Sequence, residues 1–332
     1  MVNPTQIYGA LTPDLMHILV GAERQGSLTK ELKKQIFATN HAIVSFSKEE
    51  LSLQEEVQKI EELIESLIFS PILFEENSHE FDETVYGERF DKMVAILQKT
   101  EVTVTIESYC DGLTPRNGRI ARERVQSVQQ IFNCNQISPI RLAGEPKGNV
   151  VGWAGIGLNM FQRKIVFNVH HNPRDVEETA PGSIQLPDAN NPNAGVLVFN
   201  CLEQQKKEVS EKTSPLKHRI LEILDSHQNI IFGPLLFKRR CSELNVPFYK
   251  TQIQLIEIYL NWHPSCRLKI QGGYHLWDES WEIAKKRAKT VREALVVIGT
   301  SEEKLLLGSG VIVERTDFAM ADRRVVFSVI SV

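Results

Sequence analysis

The chain contains an internal repeat, which limits its possible folds more than any other feature of the sequence. The segment Phe69-Ser-Pro-Ile-Leu-Phe74 matches Phe232-Gly-Pro-Leu-Leu-Phe237, and Phe74 and Phe237 are 163 residues apart. At nearly the same spacing Tyr86 matches Tyr249, and a period-2 segment around Ile106 matches one around Ile270. Because these matches follow one another in the same order, the sequence predicts that one domain occurs twice. Further along, Ala121, Val125, Val128 and Phe132 match Ala284, Ala288, Val291 and Leu295.

Each repeat has the same succession of apolar patterns. A short apolar strand, predicted at Ile72–Phe74 or Ile230–Phe237, precedes a helix whose apolar residues lie three and four positions apart. An alternating strand, a second helix and a final strand follow, the last predicted at 164–169 or 325–332. This βαβαβ order predicts the α/β class, as two tandem two-layer α/β sandwiches at residues 67–170 and 229–332.

The rest of the chain is predicted to form extensions of the two sandwiches, at residues 1–66 and 171–228. Each extension has a predicted short strand, Ala42–Phe46 or Val196–Phe199, which is followed by a helix. In the first, Ser47-Lys-Glu-Glu50 is a capping-box pattern that predicts a helix start. In the second, Pro173–Asn193 is rich in Pro, Asn, Asp and Glu and is predicted to be a linker.

The composition excludes several classes of protein. The chain has 332 residues and a formal net charge of −4, so no overall positive charge attracts nucleic acid. No apolar run reaches the ~18 residues that span a bilayer. The five cysteines are scattered and form no CxxC pair, which argues against a disulfide framework and a zinc site. Free thiols and the lack of an export leader favour the cytoplasm.

No motif for catalysis stands out. The sequence contains no nucleophile elbow, P-loop or dinucleotide fingerprint, so we expect no enzyme and no cofactor. His170 and His171 are adjacent, but neighbours on a strand point to opposite faces, so we expect no metal. A non-enzymatic binding or structural role remains.

The loop and second helix of the first repeat resemble the OmpA-like peptidoglycan-binding family. The first copy has a strand that ends at Asp111 and a helix with Asn117, Arg124 and Val128 at the Asn, Arg and final Val positions of the family's Asn-x-x-Leu-Ser-x-x-Arg-Ala-x-x-Val pattern. Gln162-Arg-Lys-Ile165 is similar to the family's closing signature. The resemblance implies tandem OmpA-like domains and a ligand, the peptide stem of peptidoglycan, whose amine and carboxylate an acidic and a basic side chain would hold. The implied ligand residues are Asp111, Asn117, Arg124 and Arg163.

The second copy departs from the family at its ligand positions. His275 occupies the place of the aspartate and cannot supply a fixed negative charge, while Arg287 keeps the place of the arginine. The resemblance therefore implies a degenerate second copy that contacts proteins instead. The residues considered for a second site or an interface are His275, Trp277, Trp281, Arg287 and Arg324.

Two alternatives remain open from the sequence. Asp111 and Arg124 could hold a ligand or form a structural ion pair, and Trp277 and Trp281 could lie at an interface or in the core. Accordingly, the chain could anchor something to peptidoglycan at the cell envelope, or act as a scaffold with other protein subunits in a larger assembly.

Overall fold

The computed structural model describes residues 13–24, 26, 28–110, 115–139, 142–146, 160–171, 193–274, 280–308, 311–312 and 322–331. The chain is a mixed α/β protein that divides into two compact units. One unit comprises residues 1–61 and 175–223, and the other comprises residues 62–174 and 224–332. None of the described helices is long and apolar enough to cross a membrane.

The first unit is built from three helices: α1 (Pro13–Arg24), the greater part of α2 (Lys30–Ile68) and most of α5 (Ala194–Ser226). Polar contacts reinforce it, because Thr39 Oγ1 donates to Glu203 at 2.6 Å and Lys217 lies 2.7 Å from Glu49. Its apolar core consists of Ile18, Leu19, Ala22, Ile36, Ile43, Val198 and Leu202.

The strands predicted at Ala42–Phe46 and Val196–Phe199 are wrong, because both segments are helical. The buried residues Ile36, Ile43, Leu53 and Ile60 lie seven or ten positions apart, a spacing that keeps them on one helix face. The helical pattern of the longer segment therefore outweighs the local β-branched residues. Ser47 consequently lies inside α2 and does not begin a helix.

The second unit contains two small sheets with attached helices. In the first segment, α3 carries Tyr86, Phe90, Met93 and Leu97 on its buried face, and Asp82 caps it by accepting from the Thr84 amide at 2.9 Å. The elements of this segment are β1 (Ile72–Leu73), α3 (Glu83–Lys99), β2 (Thr103–Ser108), α4 (Pro115–Cys134), β3 (Leu142–Pro146) and β4 (Lys164–His170).

The second segment repeats this order of elements. Asn245 caps α7 by accepting from the Phe248 amide at 3.3 Å. The elements are α6 (Gln228–Ile231), β5 (Leu235–Leu236), α7 (Val246–Trp262), β6 (Cys266–Tyr274), α8 (Trp281–Val297), β7 (Leu305–Leu307), β8 (Val311–Ile312) and β9 (Arg324–Ser331).

The two sheets share strand order and strand direction. The first has the order β1-β4-β2-β3, and the second has the order β5-β9-β6-β7, with β8 pairing the end of β6. In both, the first two pairings are antiparallel and the third is parallel. Helix α4 packs on β2 and β3, and α8 packs on β6 and β9. The central strand of each sheet thus ends beside the helix that carries the predicted arginine.

Two details differ from the sequence prediction. The parallel strands β3 and β7 were not predicted, and Ile230 and Ile231 belong to a helical turn and not to a strand. The sequence of β3, Leu-Ala-Gly-Glu-Pro, has no alternating apolar pattern and contains two poor strand formers. It is extended because it pairs with β2 from Val104 to Ser108.

Candidate functional site

The end of β2 is organised around Arg124, whose side chain is 1% exposed. Its Nε donates to the Ser78 carbonyl at 2.8 Å, its Nη1 to the Tyr109 carbonyl at 3.1 Å, and its Nη2 to the Glu75 carbonyl at 3.2 Å. The guanidinium carbon lies 4.9 Å from the centroid of the Phe74 ring. One side chain of α4 therefore joins the end of β2 to the turn that follows β1.

Arg287 makes the same set of contacts in the second segment and is 0% exposed. Its Nε donates to the Cys241 carbonyl at 2.9 Å, its Nη1 to the Gly273 carbonyl at 2.9 Å, and its Nη2 to the Lys238 carbonyl at 3.1 Å. The guanidinium carbon lies 5.4 Å from the centroid of the Phe237 ring. Backbone carbonyls thus accept hydrogen bonds from the same three nitrogens in both segments.

A buried arginine of this kind stabilises the local backbone by donating hydrogen bonds to its carbonyl groups. Arginine is suited to the task because its planar fork directs donors to several acceptors and stays charged when buried. The positive charge also favours an anionic group next to the strand end. Direct contact between Arg124 and a ligand stays a prediction.

Only some of the other predicted site residues are among those that the structure describes. Asp111, His275 and Trp277 lie outside the described residues. Asn117 is half-buried on the first turn of α4, two turns before Arg124. Asn117 therefore lies at the N-terminal end of α4, the end that is nearest to Asp111 in the sequence. A joint site for Asp111, Asn117 and Arg124 remains a prediction.

Trp281 begins α8 and has 52% of its surface exposed. The Lys285 ammonium lies 3.8 Å from the centroid of its ring, one helical turn further on. Ser280, at the position of the family's asparagine, immediately precedes the helix. Of the two alternatives for Trp281, the structure therefore favours the surface over the core.

The arginine of the closing signature, Arg163, is buried, and so is Arg323, immediately before the last strand of the second segment. Arg163 is 7% exposed, with Nη1 3.9 Å from Glu76, and its carbonyl accepts from the Phe74 amide at 2.9 Å. The Arg323 carbonyl accepts from the Phe237 amide at 2.7 Å in the same way. Arg323, not Arg324, is therefore the structural counterpart of Arg163. Arg324 is the first residue of β9 and pairs with Leu236.

The sequence analysis missed a second polar network, at the apolar junction between the two segments. The Tyr86 hydroxyl accepts from the Leu73 amide at 3.2 Å, and the Tyr249 hydroxyl accepts from the Leu236 amide at 2.8 Å. One turn further along each helix, Arg89 and Gln252 donate to backbone carbonyls. The available signal was a polar residue three positions after each repeated tyrosine, on the face that is otherwise buried.

The adjacent histidines point to separate partners, as the strand geometry predicts. His170 Nε2 lies 3.3 Å from the Thr105 hydroxyl, and His171 Nε2 lies 3.2 Å from Glu65. Within the described ranges, no group of three or more His, Cys, Asp or Glu side chains is arranged to hold a metal ion.

Comparison with known proteins finds a weak structural similarity over part of the chain. The sequence matches no family model, and it matches no curated protein. The peptidoglycan-associated lipoprotein from Burkholderia pseudomallei is similar to part of the chain, with 22% identity and a TM-score of 0.26. The match covers 29% of this chain and 88% of that one. A similarity of this size does not assign the chain to a family.

Proposed function

We propose that this chain is a non-enzymatic binding protein made of two tandem OmpA-like domains, and that the first domain contacts the peptide stem of peptidoglycan. The observation that supports the proposal is the buried positive charge of Arg124 at the end of β2, where Tyr109 accepts from it. Asp111 follows two residues later, and Asn117 begins the adjoining helix. An acidic group, an amide and a fixed cation next to one strand end suit a zwitterionic ligand.

Duplication of one domain accounts for the two segments. Ile72 pairs with Ile165 in the first sheet as Leu235 pairs with Val325 in the second, and Val104 pairs with Val169 as Leu268 pairs with Val329. The arginine contacts also correspond one to one. We infer that the second copy kept the fold and lost the acidic residue, since His275 stands where Asp111 stands.

Sedimentation of the full chain with purified sacculi tests this function. Asp111→Asn should weaken the affinity for sacculi roughly ten- to a hundredfold and so lower the bound fraction, because a hydrogen bond to a charged group contributes about 1.5–3 kcal/mol. Asp91→Asn is the matched control, since Asp91 is an exposed aspartate on α3. Adding His275→Asp to the Asp111→Asn chain should restore part of the binding.

Wild-type protein that stays in the supernatant would eliminate the peptidoglycan contact. A second function, that of a scaffold in a protein assembly, would then stand. It is favoured by the exposed Trp281 at the start of α8, because exposed tryptophans are enriched at the centres of protein interfaces.

The scaffold function has its own test in cells. A photo-crosslinking residue at position 281 should give one discrete protein adduct, whereas the same residue at Lys286, which is exposed on the same helix, should not. Equal labelling at both positions would argue against an interface centred on Trp281.

A further inference from the structure

A cavity of about 250 Å³ lies within the α/β unit, between its two segments. Its walls come from both segments and expose polar and apolar atoms in similar proportion, and Arg89 is the one charged residue among those that line it. Tyr86, Tyr249 and Gln252 contribute polar atoms. Representative apolar residues of the wall are Leu67, Phe69, Val85, Phe167, Ile230 and Phe248.

Arg89 has a donor that the fold does not use. Its Nε and Nη2 donate to the Ile68 carbonyl at 3.3 and 3.2 Å, and Nη2 also donates to the Ser70 carbonyl. Nη1 makes no hydrogen bond to any described residue. The guanidinium carbon lies 5.5 Å from the centroid of the Tyr86 ring, and Arg89 is among the residues that line the cavity.

The second segment shows which of the Arg89 hydrogen bonds have a structural role. Gln252 occupies the corresponding place on α7, and its Nε2 alone donates to the Ile231 carbonyl at 3.2 Å and to the Gly233 carbonyl at 2.7 Å. A neutral amide therefore satisfies the same pair of carbonyls. The charge and the third nitrogen of Arg89 are additional to this structural task.

The charge persists at neutral pH. Burial lowers the pKa of Arg89 to about 10, which still leaves the guanidinium protonated at pH 7. A cation that lines a concave site of the protein attracts an anion more strongly than it would in bulk water, because the effective dielectric constant is lower there.

We propose that this cavity binds a small organic carboxylate, with Arg89 Nη1 donating to the carboxylate and the apolar walls contacting the body of the ligand. A single cation suits a monoanion, and the apolar residues of the wall suit a small hydrocarbon or aromatic body. Inorganic phosphate fits less well, since it carries more charge and needs donors on several sides. The site does not depend on peptidoglycan binding.

Calorimetric titration of the full chain with sodium benzoate and sodium hexanoate tests the proposal. At least one of the two should bind saturably to the wild type, and Arg89→Gln should weaken that binding about ten- to a hundredfold. Lys99→Gln, which removes an exposed charge from the same helix, should leave it unchanged. Sodium phosphate should not compete.

A second variant keeps the test decisive if Arg89→Gln fails to fold. Val85→Phe adds volume to the cavity wall without a change in charge and should also weaken binding. The proposal is overturned if neither carboxylate binds the wild type, or if both variants bind as the wild type does. Phosphate that binds as tightly as the carboxylates would overturn the assignment to an organic ligand.

Discussion

At the scale of single residues, Arg124 and Arg287 show how a sequence motif can have a structural basis. Both side chains are buried, and each donates to three backbone carbonyls in corresponding positions. The second segment has the same network although His275, and not an acidic residue, matches Asp111 in the sequence repeat. These contacts give each arginine a structural role, whether or not a ligand binds nearby.

Arg124→Ala and Arg287→Ala should each destabilise the protein by at least about 3 kcal/mol. Three carbonyls that are at least partly buried lose a donor in each variant, and each unsatisfied buried group costs about 1–3 kcal/mol. Urea unfolding followed by circular dichroism measures the loss. The matched control is Arg122→Ala, an exposed arginine on the same helix, which should change stability by less than about 0.5 kcal/mol. A small effect at either buried arginine would contradict the structural role.

At the scale of elements, the packing of helix on strand differs between the copies at one matched position. Ser108 pairs with Ile165 at the end of β2, and Gly272 pairs with Val325 in β6. A Cβ atom at Gly272 would lie 1.9 Å from the Ala284 carbonyl oxygen of α8. The glycine therefore permits α8 to approach its strand closely, whereas Ser108 has a Cβ atom at the equivalent place.

Gly272→Ala should consequently destabilise the protein, by an amount near or above the upper end of the ~1–3 kcal/mol that overpacking costs. The clash is with backbone, so α8 must shift as a whole. Ser108→Ala should be neutral or stabilising by up to about 1 kcal/mol, because the buried Ser108 hydroxyl has no hydrogen-bond partner among the described residues. Chemical denaturation of both variants gives the comparison, and equal losses would refute the difference in packing.

At the scale of the whole molecule, the two segments differ in charge at matching positions of the junction between them. The Phe161 ring of the first segment lies with its centroid 5.0 Å from that of Phe248 and 6.3 Å from that of Tyr249. The same region contains Arg89 opposite Gln252 and the two repeated tyrosines. The positive charge of Arg89, which has the neutral Gln252 as its counterpart, thus lies on the first segment's side of the junction.

Stability should fall as the pH rises above about 10, and the two tyrosines of the junction should contribute to that fall. Burial raises the pKa of Tyr86 from 10.0 to about 12 and raises the pKa of Tyr249 further. In the unfolded chain both lose their protons near pH 10, so the unfolded state binds fewer protons in this range and gains relative stability. Below the unfolded pKa the contribution is constant.

The double variant Tyr86→Phe/Tyr249→Phe should show a shallower loss between pH 10 and 12 in urea unfolding, although it is less stable at pH 7. The lowered pKa of Arg89 acts with the opposite sign, because its unfolded form retains the proton to higher pH. The difference between wild type and variant isolates the tyrosines. Parallel pH profiles for the two proteins would contradict the assignment.

The sequence by itself determined the repeated order of the strands and helices other than β3, β7 and β8, because apolar spacing is local information. It also located Arg124 and Arg287 at corresponding places. It could not show that each would be held by three carbonyls, since those acceptors lie 14 to 49 residues away in the chain. Motif and spacing therefore identify a residue without stating its contacts.

Tertiary structure decided the rest. Ile43 and Val198 lie in the long helices α2 and α5, because their side chains complete an apolar core that neither helix forms alone. The strand β3 is extended because β2 offers it backbone partners. The cavity with Arg89 requires walls from two segments that are far apart in the sequence. In each case the deciding contacts are long-range, and a pattern read along the chain contains only short-range ones.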